Sequence, residues 1–271
     1  MALDRDIARH YGLGAERGRL REPGGRLEFV RTQELLKRFL PAPPAIVVDV
    51  GGGAGVHAVP LAAAGYEVAL LDPVELHVEQ ARADARQRGM RLSARVGDAR
   101  RLPYADASAD GALLLGPLYH LTDRAARLTA LAEARRVLRS GGVLAAAAIS
   151  RFASTFDGIA HGFLADPRFE RIVERDVCDG QHRNPDLEGH PEWFTTAYFH
   201  HPDELRGELE DAGLRVEAVV AVEGPGSFRP QLDDWLDDVE RRDVLLRAIR
   251  RVETEPTVLG ASAHLLALGR A

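Results

Sequence analysis

Ile46-Val47-Val48-Asp49-Val50-Gly51-Gly52-Gly53-Ala54-Gly55 is the stretch whose reading decides the fold. Four apolar residues and one acid make a short buried strand, and glycines follow with no spacer. Side chains there would keep the backbone from approaching a ligand, and a tight strand-to-helix turn needs φ/ψ values that glycine tolerates. Behind the turn, Val56, Val59, Pro60, Leu61 and alanines 62–64 read as a helix packed on a sheet. Its N-terminus offers unpaired N–H groups to a ligand. A second apolar run, Val68-Ala69-Leu70-Leu71, then ends in Asp72 and Pro73. An acid at the tip of the second strand of a βαβ unit is placed to accept hydrogen bonds from a ribose diol. The pattern implies a ligand that contains a nucleoside.

Gly53-x-Gly55-x-x-Ala58 formally satisfies the dinucleotide fingerprint, a weak match taken alone. Asp49 discriminates. A carboxylate beside a pyrophosphate cradle would repel it at close range, whereas a cationic ligand with an amino group suits it. Here the sequence resembles the class I S-adenosylmethionine-dependent methyltransferases. Their first motif, D-x-G-x-G-x-G, is met by Asp49-Val50-Gly51-Gly52-Gly53-Ala54-Gly55.

That resemblance implies that the loop from Gly51 through Gly53 to Gly55 passes beneath the methionine moiety and that Asp72, with Pro73, meets the ribose. Gly97-Asp98-Ala99 matches the family's pattern after the third strand, where an acid contacts the adenine amino group; the alternative for Asp98 is an exposed loop aspartate. The segment after the fourth strand borders the transferable methyl in such enzymes, and here it is Leu115-Gly116-Pro117-Leu118-Tyr119-His120. His120, with Tyr119 beside it, is the candidate general base, since an imidazole titrating near neutrality suits proton removal. The competing reading has His120 cap the helix that begins near Thr122, or orient Tyr119. From the N-terminal side Tyr11, Glu16, Glu28 and Arg31 are candidates to close over the cofactor. Arg31 is either a partner for the methionine carboxylate or an ordinary solvated arginine. A closer resemblance, to bacterial small-molecule methyltransferases carrying Gly-Pro-Leu-Tyr-His-Leu and Glu-Gly-Pro-Gly segments, names no substrate.

Around the motif, strands and helices alternate: strand 46–50, helix 55–64, strand 67–71, helix 75–88, strand 92–96, strand 110–115, helix 122–138 stopping at Gly141-Gly142, and strand 143–149. Such alternation implies an α/β fold, a doubly wound, mostly parallel, Rossmann-like sheet. Leu27, Val30, Leu35, Leu36 and Phe39 mark a helix over 25–40, closed by Pro41, while Tyr11–Glu16 reads as irregular. Helix 202–212 opens on Pro202 and stops at Gly213. Strand 214–222, a helix near 231–250 and strand 261–268 follow. The last two strands suit the antiparallel ending of the methyltransferase sheet, with the last strand beside the fifth. Four stretches result: an N-terminal helical cap (1–44), a cofactor-binding core (45–150), a lid or substrate-binding insertion (151–201), and the rest of the core with a helical insertion near 224–258.

The insertion holds Phe152, Phe156, Phe163, Phe169, Trp193, Phe194, Tyr198 and Phe199, and so long a break in the alternation suits a lid or binding element. Trp193-Phe194 and Tyr198-Phe199 suggest a pocket wall. Its histidines (161, 182, 190, 200 and 201) and Glu223 lack ligand spacing, so no metal is expected; substrate contact and solvent-facing roles stay open.

A formal charge of −6 gives no basic footprint for nucleic acid. No apolar run spans a membrane, and Met1–Asp6 lacks a signal-peptide core, so a cytoplasmic protein is expected. The single cysteine, Cys178, excludes a disulfide within this sequence. The expectation is S-adenosylmethionine-dependent methyl transfer to an oxygen or nitrogen of a small molecule, in secondary metabolism, by a possible homodimer. The rivals are an NAD-dependent oxidoreductase and a non-catalytic S-adenosylmethionine binder.

Overall fold

The computed structural model describes residues 5–12, 16–20, 22 and 24–271. Strands β1 (Ile46–Val50), β2 (Glu67–Asp72), β3 (Leu92–Val96), β4 (Ala109–Leu114) and β5 (Leu138–Ile149) pair in parallel. A small antiparallel ribbon, β6 (Gln181–His182) with β7 (Ala197–Tyr198), stands apart. Strand β9 (His264–Arg270) runs antiparallel between β5 and β8 (Arg215–Ala221), giving the order β3-β2-β1-β4-β5-β9-β8. The antiparallel ending expected from the resemblance is therefore present.

The side chains of β1 alternate between two cores, as period-two geometry demands. Val48 and Val50 join Leu114, Leu131 and Leu144 on one face of the sheet, while Val47 joins Leu35, Leu70 and Leu266 on the other. Both faces are covered, which is why the strand reads as a nearly unbroken apolar run.

Among the described residues, three helices precede β1: α1 (Arg5–Gly12), α2 (Glu16–Arg19) and α3 (Arg26–Phe39). The crossovers carry α4 (Ala58–Ala63), α5 (Glu75–Arg88), α6 (Pro117–His120) and α7 (Arg124–Val137). The insertion adds α8 (Ala153–His161) and α9 (Pro167–Asp179). Then come α10 (Pro202–Asp211), α11 (Leu232–Asp237), α12 (Val239–Arg250) and α13 (Pro256–Leu259). Leu27 of α3 packs against Leu236, Leu245, Leu246 and Ile249 of α11 and α12, so the N-terminal helices lean on the C-terminal insertion.

Several boundaries differ from expectation for local reasons. Helix α4 starts at Ala58, three residues late, because the glycine turn runs on to His57. Helix α7 stops at Val137, not at the glycine pair: Leu138 turns extended (ψ 138°) and pairs with Ala109, leaving Gly141 (φ +78°) in a register shift at the start of β5. The last strand begins at His264 because Ala261 and Ser262 close a turn. The helix near 231–250 splits where the Asp238 side chain accepts from Arg241 N and caps α12. Tyr11 and Gly12 lie in α1 and Glu16 begins α2; Leu13–Ala15, like Met1–Asp4, lie outside the described residues. No helix among the described residues is long and apolar enough to cross a membrane.

Candidate active site

Strand order reverses between β1 and β4, and ligands of open α/β sheets bind beyond the strands' carboxyl ends at that point. The glycine loop sits there. Gly51 adopts φ +69°, and a Cβ on it would lie 2.7 Å from Pro117 Cγ. A Cβ on Gly52 would lie 2.6 Å from Asp49 Oδ2 and 2.8 Å from Leu70 Cδ1. Steric room excludes a side chain at Gly51 and Gly52, whereas at Gly53, which has open space around it, the constraint is its φ of +54°.

Asp49 is 1% exposed, and neither carboxylate oxygen has a hydrogen-bond partner. Burial, and then the charge of Asp72, push its pKa up to about 7. A buried, unpartnered acid is costly and calls for a donor or a cation. Asp72 is also buried, but well bonded: it accepts from Gly53 N (2.8 Å), Val74 N (2.9 Å) and His77 Nδ1 (3.1 Å).

Asp49 and Asp72 line a cavity of about 90 Å³ together with Gly51, Gly53, Pro73, Leu115 and Tyr11. His57 lines it too, its pKa lowered to about 4 by burial. A mostly apolar cavity of about 110 Å³ adjoins it at Gly51 and Pro73, walled by Gly97, Asp98, Ala99 and His120. Asp98 is half-buried, and the Arg100 guanidinium, donating at 2.8 Å, holds it below the usual carboxylate range. These residues fit S-adenosylmethionine: an unpartnered acid for a cationic amino group, a strand-tip acid for a diol, and a slot for a flat base.

Two sequence-selected cofactor residues are not at this site. Arg31 is wholly buried away from both cavities, donating to Glu253 Oε2 (2.5 Å), Glu34 Oε2 (2.5 Å) and Val222 O (3.0 Å). Its guanidinium ties α3 to the C-terminal elements and has no reach to a methionine carboxylate. Gly55 lies behind the loop, donating its N–H to Gly52 O at 2.9 Å, and lines neither cavity.

A larger cavity of about 200 Å³ opens on the other side of Tyr119. Phe163, Phe169, Trp193, Phe194 and Phe199 from the insertion wall it, with Ile149 and Ala153. It shares Tyr11, Arg19 and Tyr119 with the 90 Å³ cavity, so the two meet at those side chains. Tyr119 is 9% exposed, and its hydroxyl donates to Leu115 O at 3.2 Å. His120 lies on the 110 Å³ cavity, not on the large one, and its Nε2 meets Tyr11 Oη at 2.5 Å. It does not cap α7, whose N-cap is Asp123, accepting from Ala126 N.

The insertion's histidines do not converge. His182 lines the large cavity but is held by Asp176 (2.8 Å) and Trp193 O (2.8 Å). His190 stacks on Trp193 at 3.9 Å, and His200 is buried against Glu208. Among the described residues, the acids and imidazole that do cluster are Glu28, Glu223 and His264, with donor atoms within 4.8 Å of one another. They form a closed ion-pair network: Arg19 donates to Glu28 (2.8 Å), and His264 Nδ1 to Glu223 Oε1 (2.6 Å). His57 and His264 carried no local sequence signal, because their partners Gln33 and Glu223 lie 24 and 41 residues away in the chain.

Fold and site together resemble those of the class I S-adenosylmethionine-dependent methyltransferases, whose cofactor is S-adenosylmethionine. Residues 47–142 match the family model described as "Methyltransferase domain". Over 120 residues the chain is 33% identical to an O-methyltransferase of Pyrenophora dematioidea, covering 43% of each chain. Over 195 residues it is 28% identical to a ubiquinone biosynthesis O-methyltransferase of Ruegeria sp. (strain TM1040), covering 70% of each. It spans about half the length of most curated relatives it matches. Among solved structures, an S-adenosylmethionine-dependent methyltransferase from Mesorhizobium loti superposes with TM-score 0.59 at 18% identity, over 90% of this chain and all of the other. One from Methanosarcina mazei gives TM-score 0.54 at 21% identity, over 68% and 86%.

Proposed function

We propose that this protein transfers a methyl group from S-adenosylmethionine to an oxygen or nitrogen of a small molecule, in secondary metabolism. The observation that carries this reading is the junction of the cofactor cavity and the aromatic-walled cavity at Tyr11, Arg19 and Tyr119. The sulfonium supplies an already activated methyl group, so alignment accounts for much of the rate. The protein's task is then to hold and exclude. Asp49 takes the amino group, Asp72 the ribose hydroxyls, and the slot beside Ala99 the adenine, with Asp98 at its edge. Tyr119 forms the partition between donor and acceptor. His120 acts through Tyr11, positioning that ring over the junction; its separation from the acceptor cavity favours this over a role as base. Residues 151–201 serve as lid and acceptor pocket.

The O-methyltransferase names of several relatives support an oxygen acceptor. The acidic net charge supports a small-molecule acceptor over nucleic acid. An NAD-dependent oxidoreductase is disfavoured because the cavity is lined by two acids, Asp49 and Asp72, and Asp49 has no hydrogen-bond partner to offset a pyrophosphate's charge. Calorimetric titration with S-adenosylmethionine, S-adenosylhomocysteine and NADH decides between the two. Binding of the two sulfur nucleosides with no heat from NADH is expected, and the reverse order overturns the proposal. Turnover on a panel of phenols, acids and amines then tests catalysis; binding without any turnover would favour a non-catalytic binder.

A further inference from the structure

The cofactor-side wall of the large cavity is charged, and its charges are arranged in two layers. Arg19 and His264 line the cavity itself. Their carboxylate partners sit behind them: Glu28 lines only the cofactor cavity, and Glu223 lines neither. Glu223 is fixed from three directions, accepting from Ser262 Oγ (2.7 Å), His264 N (3.0 Å) and His264 Nδ1 (2.6 Å). With Nδ1 so occupied, Nε2 is the His264 ring nitrogen left for a ligand.

We propose that this cavity binds a flat aromatic acceptor bearing an oxyanion, a carboxylate or a phenolate, with the anionic oxygen against His264 Nε2–H and Arg19 and the ring against the phenylalanine wall. The assignment deepens the methyltransferase reading and rests on it for calling the cavity an acceptor site. Charge-assisted hydrogen bonds to an oxyanion are roughly twice as strong as neutral ones. An amine placed against Arg19 and His264 would meet two cations as an ammonium ion; Asp157 and Glu192, which line the same cavity, are the groups it would seek instead, and the benzylamine titration separates the two outcomes. An acceptor that is already an anion has no proton to lose, which suits a cavity that His120 does not line. The oxygen lone pair forms the new O–C bond while the S–C bond breaks and its electron pair leaves on sulfur, so charge and atoms balance without a base.

Protonation of His264 follows from its neighbours. Burial opposes the charge, but Glu28 and Glu223 outweigh it and set the pKa at about 9. Arg19 works against them, and Asp157 on α8 faces the same ring. His182 and Glu192 also line the cavity.

Benzoate, benzylamine and benzyl alcohol, titrated with S-adenosylhomocysteine present, test the assignment. Benzoate should bind best, and His264→Gln should weaken it about tenfold while leaving benzyl alcohol unchanged. Benzoate remains an anion throughout, so its affinity should fall as pH rises through about 9 in the native protein and stay flat in His264→Gln. Arg19→Gln, a change at a partly exposed side chain, should give a smaller loss and guards against misfolding of the first variant. A titration of 4-nitrophenolate at about pH 8 shows whether phenolate or carboxylate is preferred. Preference for benzylamine, or equal benzoate affinity in His264→Gln, overturns the proposal. S-adenosylhomocysteine binding, measured in the same samples, tests the cofactor reading separately.

Discussion

The two cavities that meet at Tyr119 are walled by different material. The cofactor cavity is built around backbone (strand tips and the glycine loop, with the carboxylates of Asp49 and Asp72 held on a buried sheet), and side chains such as Tyr11, Arg19, His57 and Tyr119 close it. The aromatic-walled cavity, the proposed acceptor site, is largely side chain, made of aromatic rings from the insertion and backed by an ion-pair network drawn from α2, α3 and the residues around β8 and β9. A backbone wall tolerates few substitutions, because nothing can rotate away. A side-chain wall can be rebuilt residue by residue, so under the proposed function the first cavity would fix the chemistry and the second the choice of acceptor.

Four measurements break or sharpen this contrast. The largest effect is expected outside both cavities. Arg31→Ala leaves buried Glu253 with only Arg38 and should cost about 3–5 kcal/mol of stability, the usual penalty for breaking a buried pair. Chemical denaturation reads that loss, and calorimetry on the folded fraction should find cofactor affinity unchanged. Lost affinity without lost stability would return Arg31 to the cofactor site.

Next in size, Asp72→Ala removes the acceptor shared by Gly53 N, Val74 N and His77, as well as the proposed ribose contact. At about 1.5–3 kcal/mol per charged hydrogen bond, S-adenosylhomocysteine affinity should fall about a hundredfold. Affinity within a few-fold of native would mean that the ribose is held elsewhere.

The third prediction concerns protons. Unfolded Asp49 ionises near 4, whereas the folded residue titrates at about 7. Between those values the native state holds the extra proton, so Asp49's contribution to stability falls as pH rises through that window. A cationic amino group would favour the ionised form, so cofactor binding near pH 7 should release about half a proton. Calorimetry in buffers of different ionisation enthalpy measures this, and Asp49→Asn should abolish it; no proton release in the native protein would place the amino group away from Asp49.

The smallest effect is Tyr11→Phe, which deletes the contact to His120 Nε2 and should cost about 1 kcal/mol, or roughly fivefold. Loss in KM for S-adenosylmethionine with kcat nearly intact fits a positioning role. Loss in kcat alone would restore His120 to the chemistry.

The class of fold was legible because its determinants are local. A buried strand running into glycines, and a second ending in acid, are contiguous patterns that backbone sterics and sheet burial impose directly. The alternation of strands and helices followed in the same way, whereas the antiparallel ending was implied by the family resemblance; β1, α5 and β3 begin and end at the residues the periodicity marks. Asp49, Gly51, Gly53, Asp72, Pro73 and Leu115 line the cofactor cavity for that reason.

What only the tertiary structure decided is pairing at a distance. The sequence shows Arg31 as an arginine on a helix; Glu253, more than two hundred residues away, makes it a structural bolt. His120 and His264 are both single histidines in the sequence, and only folding turns one toward Tyr11 and gives the other a glutamate behind and a cavity in front. Local geometry follows from a residue and its neighbours in sequence. Charge state and partner depend on which groups long-range packing brings within a few ångströms, where desolvation and Coulomb terms become large.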